Sequence, residues 1–171
     1  MTVGFFAPLP PARTGVADYA AALLGALRKL GRVEVNRRGA EALLYHLGNN
    51  RLHGEIYETA LRHPGVVVLH DAVLHHFLLG HLEQPRYVEE FAYNYGDWTR
   101  DLGQTLWRDR ARSAVDPRYF EYPMLRRAAE RARAVVVHNP AAAAIAARHA
   151  PLVRIVEIPH LFTPPKPPEQ A

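Results

Sequence analysis

The sequence predicts an α/β domain of the Rossmann-like, doubly wound kind, with a mainly parallel sheet flanked by helices. Three observations carry that reading. Short apolar runs alternate with helix-spaced segments along the chain. Two runs, at 66–69 and 134–137, are valine-rich and apolar at every position, as in strands covered on both faces. The residues able to do chemistry stand just after such runs, at the carboxyl edge where open α/β sheets hold their ligands.

Taken in order, Thr2-Val3-Gly4-Phe5-Phe6-Ala7 reads as a buried first strand, ended by Pro8, Pro10 and Pro11. From 15 to 30, Val16, Tyr19, Ala20, Leu23, Leu24, Leu27 and Leu30 fall at helical spacing, and Gly31 stops the helix. Val33 and Val35 form a short strand, 43–47 a third, and Gly48-Asn49-Asn50 breaks it. A helix at 54–62 closes at His63-Pro64-Gly65 before the strand at 66–69. The stretch 72–125 reads as largely helical, broken at Asp116-Pro117. Its aromatic residues Phe77, Tyr87, Phe91, Tyr93, Tyr95, Trp98 and Trp107 read as core or, alternatively, as stacking surfaces for sugars or bases. After the strand at 134–137, Pro140 starts an alanine-rich helix at 141–149, and 153–158 is the last strand. Five prolines crowd the final thirteen residues, the composition of a semi-rigid linker at 163–171 following a domain at 1–162.

With 171 residues, 49% of them hydrophobic, the chain suits one domain with one substantial core. No run approaches the ~20 apolar residues of a membrane span, and no basic region precedes the first apolar run, so the expected location is cytoplasmic. Lacking cysteine, the chain has no disulfide, thiolate metal site or cysteine nucleophile. The net charge of +4 is carried by arginine, since only Lys29 and Lys166 are lysines. Arginine suits phosphate recognition, but the charges are interspersed and no nucleic-acid partner is expected. The densest cluster, Arg126, Arg127, Arg131 and Arg133, is either a solvated helix face or a basic patch.

Four constellations could carry chemistry. Between the first strand and first helix, Thr14, Gly15 and Val16 form a helix start whose free amides attract anions, with Arg13 adding charge; the alternative is a stiff connection capped by Thr14. At the end of the 66–69 strand, His70 and Asp71 can hydrogen-bond a hydroxyl or exchange a proton. Asn49 and His53 follow another strand, and His138 and His160 end the last two. Metal is not expected: Asp71 and His75 have i, i+4 spacing, but no second histidine pairs with His75 in that way. Ser113, the only serine, has no nucleophile-elbow context.

Together, the proline-rich loop with Arg13-Thr14-Gly15-Val16-Ala17-Asp18-Tyr19, then Tyr45-His46-Leu47-Gly48-Asn49 with His53, then Pro64-Gly65-Val66-Val67-Val68-Leu69-His70-Asp71, resemble a known family. They are similar to the N-terminal domain of retaining, nucleotide-sugar-dependent glycosyltransferases of the GT-B fold. The resemblance runs from the first strand to Ile158-Pro159-His160, where the family usually continues with Asn-Gly rather than His160-Leu161.

The resemblance implies that amides at Thr14, Gly15 and Val16 approach the donor diphosphate, and that His70, with Asp71 beside it, lies next to the transferred sugar. It implies a nucleotide-diphosphate sugar as donor substrate and no other cofactor. Its members carry a second Rossmann domain whose basic residues and paired glutamates hold most of the donor; nothing after Pro168 supplies it. The expected partners are therefore that donor-binding domain, or a split subunit, and a sugar or lipid-linked acceptor, the latter met at the inner membrane surface. A non-catalytic nucleotide- or phosphosugar-binding module and a metal-dependent hydrolase using Asp71, His75 and His76 are the alternatives.

Overall fold

A computed structural model describes residues 1–160. The expected linker from 163 onward lies outside the described residues. Six strands, β1 (Thr2–Phe6), β2 (Arg32–Val35), β3 (Ala42–Leu47), β4 (Val66–Leu69), β5 (Ala134–Val137) and β6 (Ile155–Glu157), form one sheet in the order β2-β1-β3-β4-β5-β6. Every neighbouring pair is parallel. The chain steps outward from β1 to β2, then crosses back and winds on to β6. The order therefore reverses between β1 and β3, and a ligand crevice opens at such a reversal, beyond the carboxyl ends of the strands.

Alternation along the strands sends side chains to two cores. Phe5 and Val33 face one side, where Ala20 and Leu24 of α1 (Gly15–Leu30) cover them. Phe6, Tyr45, Leu47, Val67, Leu69, Val135 and Val137 face the other, against α2 (Gly54–Arg62), α8 (Pro140–His149) and the helices between β4 and β5. Each fully buried side chain of this size contributes roughly 1.5–3 kcal/mol of transfer free energy, so this larger core holds the domain together. The two-sided burial foreseen for 66–69 is what the sheet shows, with Val67 and Leu69 buried on one face and Val68 on the other; at 134–137 only the face of Val135 and Val137 is buried, and Ala134 and Val136 on the other are half-buried.

The stretch between β4 and β5 is more broken than its periodicity suggests. It contains α3 (His75–His81), α4 (Gln84–Tyr95), α5 (Arg100–Arg108), α6 (Arg118–Glu121) and α7 (Arg126–Arg131). Leu82 turns extended to end α3, and Gly96, at φ +101°, turns the chain after α4 in a conformation that side chains disfavour. Phe77, Tyr87 and Phe91 are core, as their spacing predicts. Trp98 is not: it is 85% exposed. Tyr93 also stays at the surface, where the Arg127 guanidinium lies 3.8 Å from its ring centroid. That guanidinium is simultaneously the partner of the buried Glu90 carboxylate.

Candidate functional site

An open pocket of about 630 Å³ lies at the carboxyl edge, lined by Thr14, Gly15, Asp18, Tyr19, His70 and Asp71 among others. Gly15, Asp18, Tyr19 and Ala22 recur at i, i+3, i+4 and i+7, so one face of α1 forms a wall. Thr14 Oγ1 accepts a 3.1 Å hydrogen bond from the Ala17 amide, which makes it the cap of α1. A Cβ on Gly15 would meet nothing within 4 Å. Protein packing does not demand glycine there; its effect is clearance in front of the first amides of the helix. Arg13 is exposed and does not line the pocket.

The opposite wall is built from strand ends. In β3 the alternation that buries Tyr45 and Leu47 in the larger core turns His46 to the α1 side, 4.8 Å from the Phe5 ring. His46 Nδ1 lies 2.9 Å from His70 Nε2, so the two imidazoles share one proton between those nitrogens. His138 Nδ1 donates to the Ile158 carbonyl at 2.8 Å, which ties the end of β5 to the residue after β6. Tyr19 meets His70, His138 and His160 edge-on, with centroids 4.9, 5.3 and 5.1 Å away. Burial, reinforced by the neighbouring histidines, pushes His46 and His70 down to about 3. Burial lowers His53 and His160 as well. Near neutral pH the His46 and His70 rings are uncharged, each one donor and one acceptor.

The loop after β3 serves mainly to brace this wall. The Asn49 amide donates to Asp71 Oδ2 at 2.7 Å, and Asn49 Oδ1 accepts from Phe77 N at 2.8 Å, inside the first turn of α3. Asn49 is thus a tie between segments, and Asn50 takes the place expected of it on the pocket lining. His53 is fully buried; its Nδ1 donates to the His46 carbonyl at 2.9 Å. Gly48 makes this possible, because a Cβ there would stand 2.9 Å from His53 Nε2 and 3.1 Å from Asp71 Oδ2.

Of the residues expected at a site, the pocket lining gathers Thr14, Gly15, Val16, His70, Asp71 and His160, with the buried His138 packed on His160 at 3.9 Å between centroids. Arg13, Asn49 and His53 stand outside the lining. The hydrolase set is not assembled. His75 spends Nδ1 on the Tyr122 carbonyl at 2.8 Å and Nε2 on the Tyr87 hydroxyl at 2.6 Å, and His76 Nε2 donates to the Ser113 carbonyl at 3.0 Å. Tyr19 and His46 are participants that sequence reasoning passed over. The available signals were Tyr19 four residues after Gly15 and a lone histidine inside an apolar strand.

Among the described residues the carboxylates on the lining are Asp18 and Asp71, and no lysine or arginine accompanies them. The site is therefore locally acidic in a chain whose net charge is +4. A larger open pocket of about 780 Å³, lined by Arg126, Arg133, Arg148 and Arg154, lies at the amino edge instead, since Arg133 and Arg154 immediately precede β5 and β6. It has positive charge but none of the strand-end groups, so the chemistry is read at the carboxyl edge. Among the described residues no helix is long and apolar enough to cross a membrane. Compared with protein-family models, curated proteins and solved structures, the chain matches none.

Proposed function

We propose that the chain is the acceptor-side, Rossmann-like half of a glycosyltransferase, which moves a glycosyl group from a nucleotide-diphosphate sugar to an acceptor. The observation that carries this reading is the meeting of the Gly15 end of α1 with His70 and Asp71 in one open pocket at the point where the strand order reverses. Clearance over helix-start amides favours a phosphate edge. A neutral His70, steadied by His46, can give or accept one hydrogen bond from a sugar hydroxyl, and the Tyr19 ring beside it offers an apolar surface.

The acidic lining supports a division of labour. Asp18 and Asp71 repel a diphosphate, so its counter-charge comes from a donor-binding partner, either a second domain or a split subunit, that closes over the mouth. Closure aligns the reactants and supplies charge stabilisation for the leaving diphosphate. Acceptor contacts, the phosphate edge and the His70 contact belong to this half. A lipid-linked acceptor fits the same arrangement, with the protein meeting it at the cytoplasmic face of a membrane.

The isolated chain, incubated with nucleotide-diphosphate sugars and saccharide acceptors, is expected to release no nucleoside diphosphate; turnover by the chain alone would sink the half-site reading. Micromolar binding of free nucleotide by the isolated chain, read by calorimetry, would favour a binding module instead. In the assembled enzyme, His70→Ala is expected to reduce turnover with the fold intact, and near-normal rates would return His70 to a packing role.

A further inference from the structure

We infer that His70, His138 and His160 form a binding site for one divalent transition-metal ion of the zinc class, with a coordination position open to the pocket. The inference does not rest on the glycosyl-transfer reading. One ring nitrogen from each of the three histidines lies within 4.8 Å of the other two. They come from the ends of three different strands, β4, β5 and β6, so the sheet itself brings them together.

His138 carries the second, independent observation. A carbonyl only accepts, so the 2.8 Å contact with the Ile158 oxygen fixes the proton on Nδ1. Nε2 is then a bare lone pair, buried without a partner among the described residues, in a residue only 8% exposed. An orphaned buried acceptor costs free energy, and a ring whose N–H is committed to a backbone carbonyl is oriented as metal-ligating histidines habitually are. His70 is oriented by its own ring contact, Nε2 to His46 Nδ1 at 2.9 Å, which leaves Nδ1 as its other ring nitrogen.

The surroundings favour a cation. Among the described residues the pocket lining holds two carboxylates, Asp18 and Asp71, and neither lysine nor arginine. Imidazole nitrogens suit zinc and its borderline neighbours rather than calcium or magnesium. Tetrahedral zinc, with bonds of about 2.0–2.1 Å, sets its nitrogens about 3.3 Å apart. The three rings therefore draw together on binding, and His160, which is exposed, has room to move. Because His70 and His160 line the pocket, the fourth position opens into it and takes water or a ligand oxygen.

The test uses the untagged full chain, stripped with chelator, dialysed and titrated with zinc chloride by calorimetry. Cobalt(II) is titrated in parallel, and its visible absorption reports tetrahedral nitrogen ligation. One ion per chain is expected, with affinity lowered at least about tenfold by His160→Ala and by His138→Ala. His63→Ala, at an exposed histidine away from the pocket, is expected to bind as the parent does. His160 is at the surface, so its variant keeps the fold and remains decisive if His138→Ala proves unstable. Absence of a bound ion, or an ion held equally well by His160→Ala, overturns the inference.

Discussion

Replacing Gly15 with alanine separates the role of that residue in the fold from its role in the pocket. Gly15 opens α1, has no positive φ, and a Cβ there meets nothing within 4 Å. The substitution therefore removes freedom from the unfolded chain without strain, a gain of about 0.4–1 kcal/mol. For a domain of this size that corresponds to a rise of roughly 1–4 °C in Tm. Gly65→Ala is the same chemical change in a closed setting: its Cβ would stand 2.4 Å from the Leu43 carbonyl oxygen and 2.9 Å from Tyr45 Cε2. Overpacking against backbone of this kind costs about 1–3 kcal/mol, and Tm falls. At Gly15 the added methyl sits where a diphosphate would approach the helix amides. Loss of one charge-assisted hydrogen bond, about 1.5–3 kcal/mol, weakens donor use by about 10- to 150-fold. Thermal melts of both variants, with donor-dependent kcat/KM of the assembled enzyme, decide the matter. A destabilised Gly15→Ala refutes the open geometry at the helix start, and unchanged donor kinetics refute the phosphate edge.

Further outcomes follow from the buried charges. Arg127→Met leaves the Glu90 carboxylate buried with the Asn94 amide as its hydrogen-bond partner and Arg86 as a more distant charge, and is expected to cost about 3–5 kcal/mol in denaturant unfolding. The double variant with Glu90→Gln recovers most of the loss; if it does not, the ion pair is not the cause. Burial pushes His75 down to about 4, so its folded value lies below its unfolded one, near 6.5. The corresponding stability is complete above about pH 6.5 and is lost as pH falls toward 4, with about 2 kcal/mol gone between pH 7.5 and 5 from this residue alone. His46 and His70 steepen the same limb. Equal urea midpoints at the two pH values would contradict the neutral burial of these rings.

The sheet was legible because strands covered by helices are apolar throughout, and 66–69 and 134–137 are, although one face of 134–137 is only half-buried. The α1 helix was legible from its spacing and from Thr14, whose hydroxyl does cap it. The helical stretch before β5 was not, because periodicity records which face is buried and not where the chain turns. Leu82 turns it in extended backbone and Gly96 at positive φ, without any break in the aromatic spacing to mark either place. Within the site, His70 and Asp71 stood out by following a strand. The grouping of His70, His138 and His160 did not, since ligand-spacing rules see residues on one helix or loop, and these meet only once three strands are in register. Asn50, read only as part of the break after β3, lines the pocket in place of Asn49, because the turn aims alternate side chains in different directions.

The long excursion between β4 and β5 has a consequence for the order of events in folding. Joining β5 to β4 closes a loop over residues 70–133, whereas joining β4 to β3 closes only 48–65. By the logarithmic cost of loop closure the longer connection is about 1 kcal/mol harder to close. It becomes favourable only after the intervening helices have collapsed around Phe77, Tyr87 and Phe91. The half of the sheet from β2 to β4 can therefore form first, with β5 and β6 added late. His138 and His160 ride on those last arrivals, so the pocket comes into being in the final steps of folding, and a slow step in the excursion would delay ligand binding far more than it delays the first half of the sheet.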